Sequence, residues 1–161
     1  MLQAPAPDCP WKGKPIVLVG LMGAGKTTVG RRLAQRMRLP FVDADHEIEA
    51  AAGMTISDIF EKFGEPYFRA GERRVIARLI DGTPKVIATG GGAFINDDTR
   101  GLILDQAIAI WLDAEPTVLA DRVRRRDTRP LLRGRDPEEI LTELAAVRNP
   151  FYALAQSACR A

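Results

Sequence analysis

Cysteine and histidine are almost missing from this chain. Only two cysteines, Cys9 and Cys159, occur in 161 residues, near opposite ends. That excludes a disulfide-stapled secreted framework and a thiolate metal cluster, and it makes reduced thiols in the cytoplasm the expectation. The one histidine is His46. Usual zinc clusters are thereby excluded, as is any histidine-based triad that does not use this residue. Its place after Asp45, at an expected helix start, reads as a solvated surface position. Charge of one sign is also scarce: the formal net charge is +2, too small to point to nucleic acid. No apolar run approaches the roughly 20 residues that a membrane-spanning helix needs. Residues 1–13 are rich in proline and alanine but lack a charged start and an apolar stretch, so they read as a disordered tail rather than a signal peptide. What remains is ordinary: 46% hydrophobic and 27% charged residues, enough for one domain spanning 14–161 with a single core.

Against this plain background one segment stands out. Gly20-Leu21-Met22-Gly23-Ala24-Gly25-Lys26-Thr27 fits G-x-x-x-x-G-K-[ST], the phosphate-binding loop. Four such matches arise by chance in roughly one chain of this length in a hundred. The flanks strengthen the reading. Pro15–Val19 is a β-branched apolar run that predicts a buried strand, and Thr28–Arg38 has the periodicity of an amphipathic helix. Glycines let backbone N–H groups converge on a phosphate, and the helix N-terminus adds partial positive charge at the same point. Gly23, Ala24, Gly25, Lys26, Thr27 and Thr28 are therefore the expected nucleotide-binding residues. Lys26 reaches the outer phosphates, and the Thr27 hydroxyl is suited to ligate magnesium.

Short apolar runs recur along the chain at Ile16–Val19, Phe41-Val42, Val86–Ala88 and Ala107–Leu112, with helical patterns between them over 56–63, 65–80 and 115–126. This alternation predicts an α/β fold with a parallel sheet and crossover helices. Each strand ends in chemistry: the glycine loop, Asp43-Ala44-Asp45, Thr89-Gly90-Gly91-Gly92, and Asp113. Open parallel sheets bind ligands beyond the carboxyl ends of their strands, so these features are expected in one cleft. The Asp43–Asp45 pair has two readings, a helix N-cap or a functional carboxylate pair, and Asp45 could serve as both. Arg122, Arg124, Arg125, Arg126, Arg129, Arg133 and Arg135 cluster. A solvated helix face and a phosphate-facing role both remain open for them. Thr128–Asp136 reads as a loop.

Taken together, Gly20–Thr27, Asp43-x-Asp45, Phe68-Arg69-x-x-Glu72, Gly90-Gly91-Gly92-Ala93, Arg129-Pro130-Leu131-Leu132 and Arg148-x-Pro150-x-Tyr152 stand in the order found in shikimate kinases. The resemblance covers about residues 14–155. It implies a three-layer P-loop kinase fold with a mobile lid near 128–136, and transfer of the ATP γ-phosphoryl group to the 3-hydroxyl of shikimate, with ATP and Mg²⁺ required. By the same resemblance Lys26, Asp45 and Arg129 are catalytic, Asp43 holds magnesium through water, and Arg125 and Arg129 join the ATP site. Asp45, Arg69, Arg148 and Gly90, Gly91 and Gly92 form the acceptor site. Bidentate guanidinium–carboxylate geometry suits the two arginines to an acidic acceptor. A gluconate kinase-like enzyme of the same fold, and a nucleotide-binding module without turnover, are the rival readings. Family members are monomers that continue past the Arg-x-Pro-x-Tyr helix into a final strand and helix, whereas this sequence stops at Ala161. The expectation is therefore an uncovered apolar sheet edge along Ala107–Leu112, with self-association and weak ATP binding as its consequences.

Overall fold

The computed structural model describes residues 13–125 and 136–160. Five strands alternate with seven helices among these residues: β1 (Ile16–Val19), α1 (Lys26–Met37), β2 (Phe41–Asp43), α2 (Ala44–Ala52), α3 (Ile56–Phe63), α4 (Glu65–Leu79), β3 (Val86–Ala88), α5 (Asp97–Gln106), β4 (Ile108–Asp113), α6 (Pro116–Arg124), α7 (Pro137–Tyr152) and β5 (Ser157–Arg160). The sheet order is β2-β3-β1-β4-β5, and every pairing is parallel. The four strands read from the sequence are present within a residue or two. The three helical patterns are present as α3, α4 and α6. A single 3₁₀ turn at Ala93–Ile95 follows the triple glycine.

β1 lies at the centre of the sheet, and its four residues are buried. A strand covered on both faces has no polar side to show, which is why it reads as a continuous Ile-Val-Leu-Val run rather than an alternation. Val86 and Ile87 of β3 and Ala109 of β4 are fully buried beside it. Each side chain of Val or Ile size removed from water in this way contributes about 1.5–3 kcal/mol. A second, smaller apolar cluster lies apart from the sheet, where α2, α3 and α4 meet around Ile48, Ile59, Phe68 and Val75.

Two local expectations change. The helix after the glycine loop begins at Lys26 rather than Thr28, because Gly25 takes a left-handed conformation (φ 91°) and serves as its N-cap. Only glycine adopts that conformation without steric penalty. Asp43, not Asp45, caps α2: its carboxylate accepts from Asp45 N at 3.0 Å and His46 N at 3.3 Å. His46 itself is exposed, as its position implied.

The expected open edge along β4 is not there. Ser157–Arg160 pairs with it in parallel register, from Ile110↔Ser157 to Asp113↔Arg160. Just before that strand, Gln156 completes the edge with its side chain. Its Oε1 accepts from Ala109 N at 2.8 Å, and its Nε2 donates to Leu104 O at 3.2 Å and Ala107 O at 3.3 Å. The final strand therefore exists within these residues, and the premise for self-association through an uncovered β4 is overturned.

Candidate active site

The carboxyl ends of β1, β2 and β3 bring the glycine loop, Asp43-Ala44-Asp45 and Gly90–Gly92 to one side of the sheet. Register sets this directly, since Leu18 of β1 and Asp43 of β2 both pair with Ala88 of β3. Thr89 locks the junction: its hydroxyl donates to Leu18 O at 2.8 Å in a buried position.

In the glycine loop, Lys26 Nζ donates to Gly20 O at 2.5 Å and Leu21 O at 3.0 Å, so the ammonium folds over the loop. The Gly25 cap has no side-chain acceptor, and the first backbone N–H groups of α1 face the loop as donors for an anion. α6 closes the other side: Arg122 Nη1 donates to Gly23 O at 3.0 Å. Arg125 lies exposed at the C-terminal end of α6. Arg129 and most of the expected lid fall outside the described residues, as does nearly all of the N-terminal tail.

Thr27 and Asp43 meet. The Thr27 hydroxyl donates to Asp43 Oδ2 at 3.0 Å, so a hydroxyl and a carboxylate stand together beside the phosphate loop. That oxygen set suits Mg²⁺, which takes one or two protein groups and fills its remaining positions with water and phosphate oxygens.

The acceptor side is built on the triple glycine, and each glycine faces a different polar side chain. A methyl group on Gly90 would stand 2.9 Å from Asp45 Oδ1, one on Gly91 3.0 Å from Arg148 Nη1, and one on Gly92 2.5 Å from Arg69 Cζ. Helices α2, α7 and α4 thus each deliver one functional group to the same turn. The backbone of Gly92 is helical (φ −94°, ψ −5°). Space rather than conformation therefore requires glycine there.

Two residues of the quoted motifs that carried no assigned role sit in this cluster. Glu72 is buried and pairs with Arg69 at 2.9 Å. Its Oε2 has no hydrogen-bond partner among the described residues. Burial pushes its carboxyl up from the usual range. Arg69 pulls it back by charge and hydrogen bond, Asp45 raises it further, and Arg148 lowers it. Tyr152 is fully buried and its hydroxyl donates to Gly91 O. Burial raises its phenol to about 12, against the opposing pull of Arg148 and Arg69. The sequence signal for both is spacing: Glu72 follows Arg69 by three residues and Tyr152 follows Arg148 by four, so each shares a helix face with its arginine.

A sequence profile of the shikimate kinase family matches residues 22–161. The chain belongs to the shikimate kinase family. A shikimate kinase from Caulobacter vibrioides is 62% identical over 147 residues, covering 91% of this chain and 74% of the relative. Among solved structures, a shikimate kinase from Acinetobacter baumannii in complex with shikimate superposes with a TM-score of 0.86 at 41% identity, covering 92% of this chain and 83% of that one. A gluconokinase from Sinorhizobium meliloti, with a TM-score of 0.56 at 19% identity, shares the fold alone. Membership makes this chain a kinase with ATP as its phosphoryl donor, which gives the glycine loop its ligand. Among the described residues no helix is long and apolar enough to cross a membrane.

Proposed function

We propose that this chain transfers the γ-phosphoryl group of ATP to the 3-hydroxyl of shikimate, with Lys26, Asp45, Arg69, Arg148 and Arg129 as the working side chains. One observation carries the acceptor assignment. A carboxylate and two guanidinium groups, from three different helices, converge on consecutive glycines one strand away from the phosphate loop. That arrangement fits a small polyol acid, with the guanidinium groups of Arg69 and Arg148 on its carboxylate and Asp45 on its hydroxyls. The domain of 14–161 acts as one unit, in the cytoplasm, where the exposed thiol of Cys159 stays reduced.

Phosphoryl transfer asks the protein for position and charge more than for covalent chemistry. The backbone N–H groups of the loop and Lys26 hold the β- and γ-phosphates. Thr27 and, through water, Asp43 would hold Mg²⁺, which supplies charge neutralisation between the phosphates when bound. Asp45 accepts the proton of the attacking 3-hydroxyl as the new O–P bond forms and the bond to the β-phosphate oxygen breaks, leaving ADP. Arg129, the lid arginine by family likeness, would balance the charge that spreads in the transition state. The acceptor's carboxylate never reacts. It serves as a handle, so that binding energy far from the reacting atoms fixes their geometry.

ADP release in a coupled assay, run with shikimate, with gluconate and with neither, tests the assignment. Turnover that depends on shikimate and is absent with gluconate is the expected result. Nucleotide binding without turnover on either acceptor would favour a binding module instead, and turnover on gluconate would favour the rival kinase.

A further inference from the structure

Among the described residues Tyr152 is the largest side chain to be completely buried, yet its hydroxyl is aimed at the acceptor site rather than at the core. It donates to the carbonyl of Gly91, the same glycine over which Arg148 Nη1 stands, 3.0 Å from where a β-carbon would be. The positive charge of the Arg148 guanidinium also bears on the Tyr152 phenol, opposing the rise that burial imposes. The phenol thus holds the carbonyl of the same glycine that the arginine lies against. Its ring is held from behind by Trp111 of β4, with centroids 6.0 Å apart. Tyr152 follows Arg148 by four residues on α7, with Pro150 between them. That proline withdraws one helical N–H donor and weakens the last turn, so α7 alone holds this end of the helix loosely.

We infer that Tyr152 is a positioning residue for the acceptor: its hydroxyl fixes the Arg148 guanidinium and the Gly91 carbonyl in one frame. Arg148 thereby meets the acceptor's carboxylate without first being ordered. This inference rests on the reading of Arg148 as a carboxylate-binding arginine. A guanidinium on a flexible stem loses rotamer freedom on binding, and a partner that restrains it beforehand removes part of that loss. The restraint requires the protonated phenol, which can donate to a carbonyl. Burial keeps it protonated well above neutral pH.

Tyr152→Phe isolates the hydroxyl, because the ring and its contact with Trp111 remain. The expected result is a roughly tenfold rise in KM for shikimate, the size of one well-placed hydrogen bond. KM for ATP and kcat should stay within about twofold. Calorimetric titration of shikimate without nucleotide should show the same loss in Kd. A role confined to packing would lower Tm and move both KM values and kcat together, and that pattern overturns the inference, as does a shikimate KM within twofold of wild type. The double variant Arg148→Ala/Tyr152→Phe gives a second test. If the hydroxyl works through Arg148, its removal adds little once the arginine is gone, whereas independent effects that multiply would sink the idea. Arg148→Ala alone separates the two levels. No change in shikimate KM would refute the site reading itself, while a large rise beside a silent Tyr152→Phe refutes only the positioning role.

Discussion

Gly92 shows how a residue with no side chain can be part of a binding site. Its backbone is helical, so alanine there adopts the same conformation without strain, and the added methyl would meet the tip of Arg69 at 2.5 Å from Cζ. The tip of a long side chain can move aside at little energetic cost, but the guanidinium then leaves the place where it faces the acceptor. Gly92→Ala should therefore raise KM for shikimate by about tenfold while shifting stability by under ~1 kcal/mol. Steady-state kinetics with a thermal melt checks this, and a large loss of Tm with unchanged KM would refute it. Glu72 offers a second test, through pH. Its folded pKa lies above the unfolded value because burial outweighs Arg69, so the folded state binds this proton more tightly than the unfolded chain does. Stability from this group is fully present below about 4.5, falls as pH rises through the raised folded pKa, and is flat beyond it. Urea unfolding of wild type and Glu72→Gln from pH 4 to 8 should show wild type losing stability relative to the variant across that window. A relative gain would mean that the pairing with Arg69 dominates after all.

At the scale of elements, the sheet is set by two kinds of signal. β1 and β3 announce themselves through buried β-branched runs and β4 through a longer, partly buried apolar run, whereas β5 has no such run: all four residues of Ser157-Ala158-Cys159-Arg160 are exposed. Its conformation comes from pairing with β4 and from the anchor at Gln156, information held in the fold and not in the local sequence. An uncovered β4 is the expectation when the family's final strand is placed beyond Ala161, whereas residues 157–160 supply the covering strand. Gln156→Ala removes three contacts to backbone groups of Leu104, Ala107 and Ala109. It should destabilise the protein by about 1–3 kcal/mol, since the N–H of the fully buried Ala109 is left without its acceptor. Chemical denaturation measures the loss. A change below a few tenths of a kcal/mol would show that water replaces the amide freely. The candidate site divides in the same way. Asp43, Asp45 and the three glycines are legible because they end strands of a parallel sheet. Nothing in local pattern brings Arg69 and Arg148 to them. The approach of α4 and α7 does that, and only likeness to a family made it visible beforehand. The capping role passed to Asp43 because the last residue of β2 is where α2 needs its acceptor, and the same carboxylate still reaches Thr27.

Among the described residues two apolar clusters of unequal size are present. The large one surrounds the sheet. The small one, Ile48, Ile59, Phe68 and Val75, joins α2, α3 and α4 to one another. Asp45 and Arg69 ride on that helical unit, which also reaches the large cluster through Ala44, Ile76 and Leu79, while Lys26 and Arg148 belong to elements packed on the sheet. An acceptor held by Asp45, Arg69 and Arg148 would therefore tie the two bodies together. Helices supported by few buried apolar contacts open more readily than central strands, so amide exchange in α2–α4 should be faster than in β1 and β3 when no ligand is bound. Saturation with shikimate at about a hundred times its Kd stabilises the bound form by roughly 2.7 kcal/mol. If opening of α2–α4 breaks the acceptor site, exchange there should slow by about a hundredfold, with much smaller changes in β1 and β3. Hydrogen-exchange mass spectrometry reads both regions in one experiment. Equal exchange throughout, or protection spread evenly over the sheet and α2–α4, would show that the two clusters open as one and that the acceptor bridges no internal boundary.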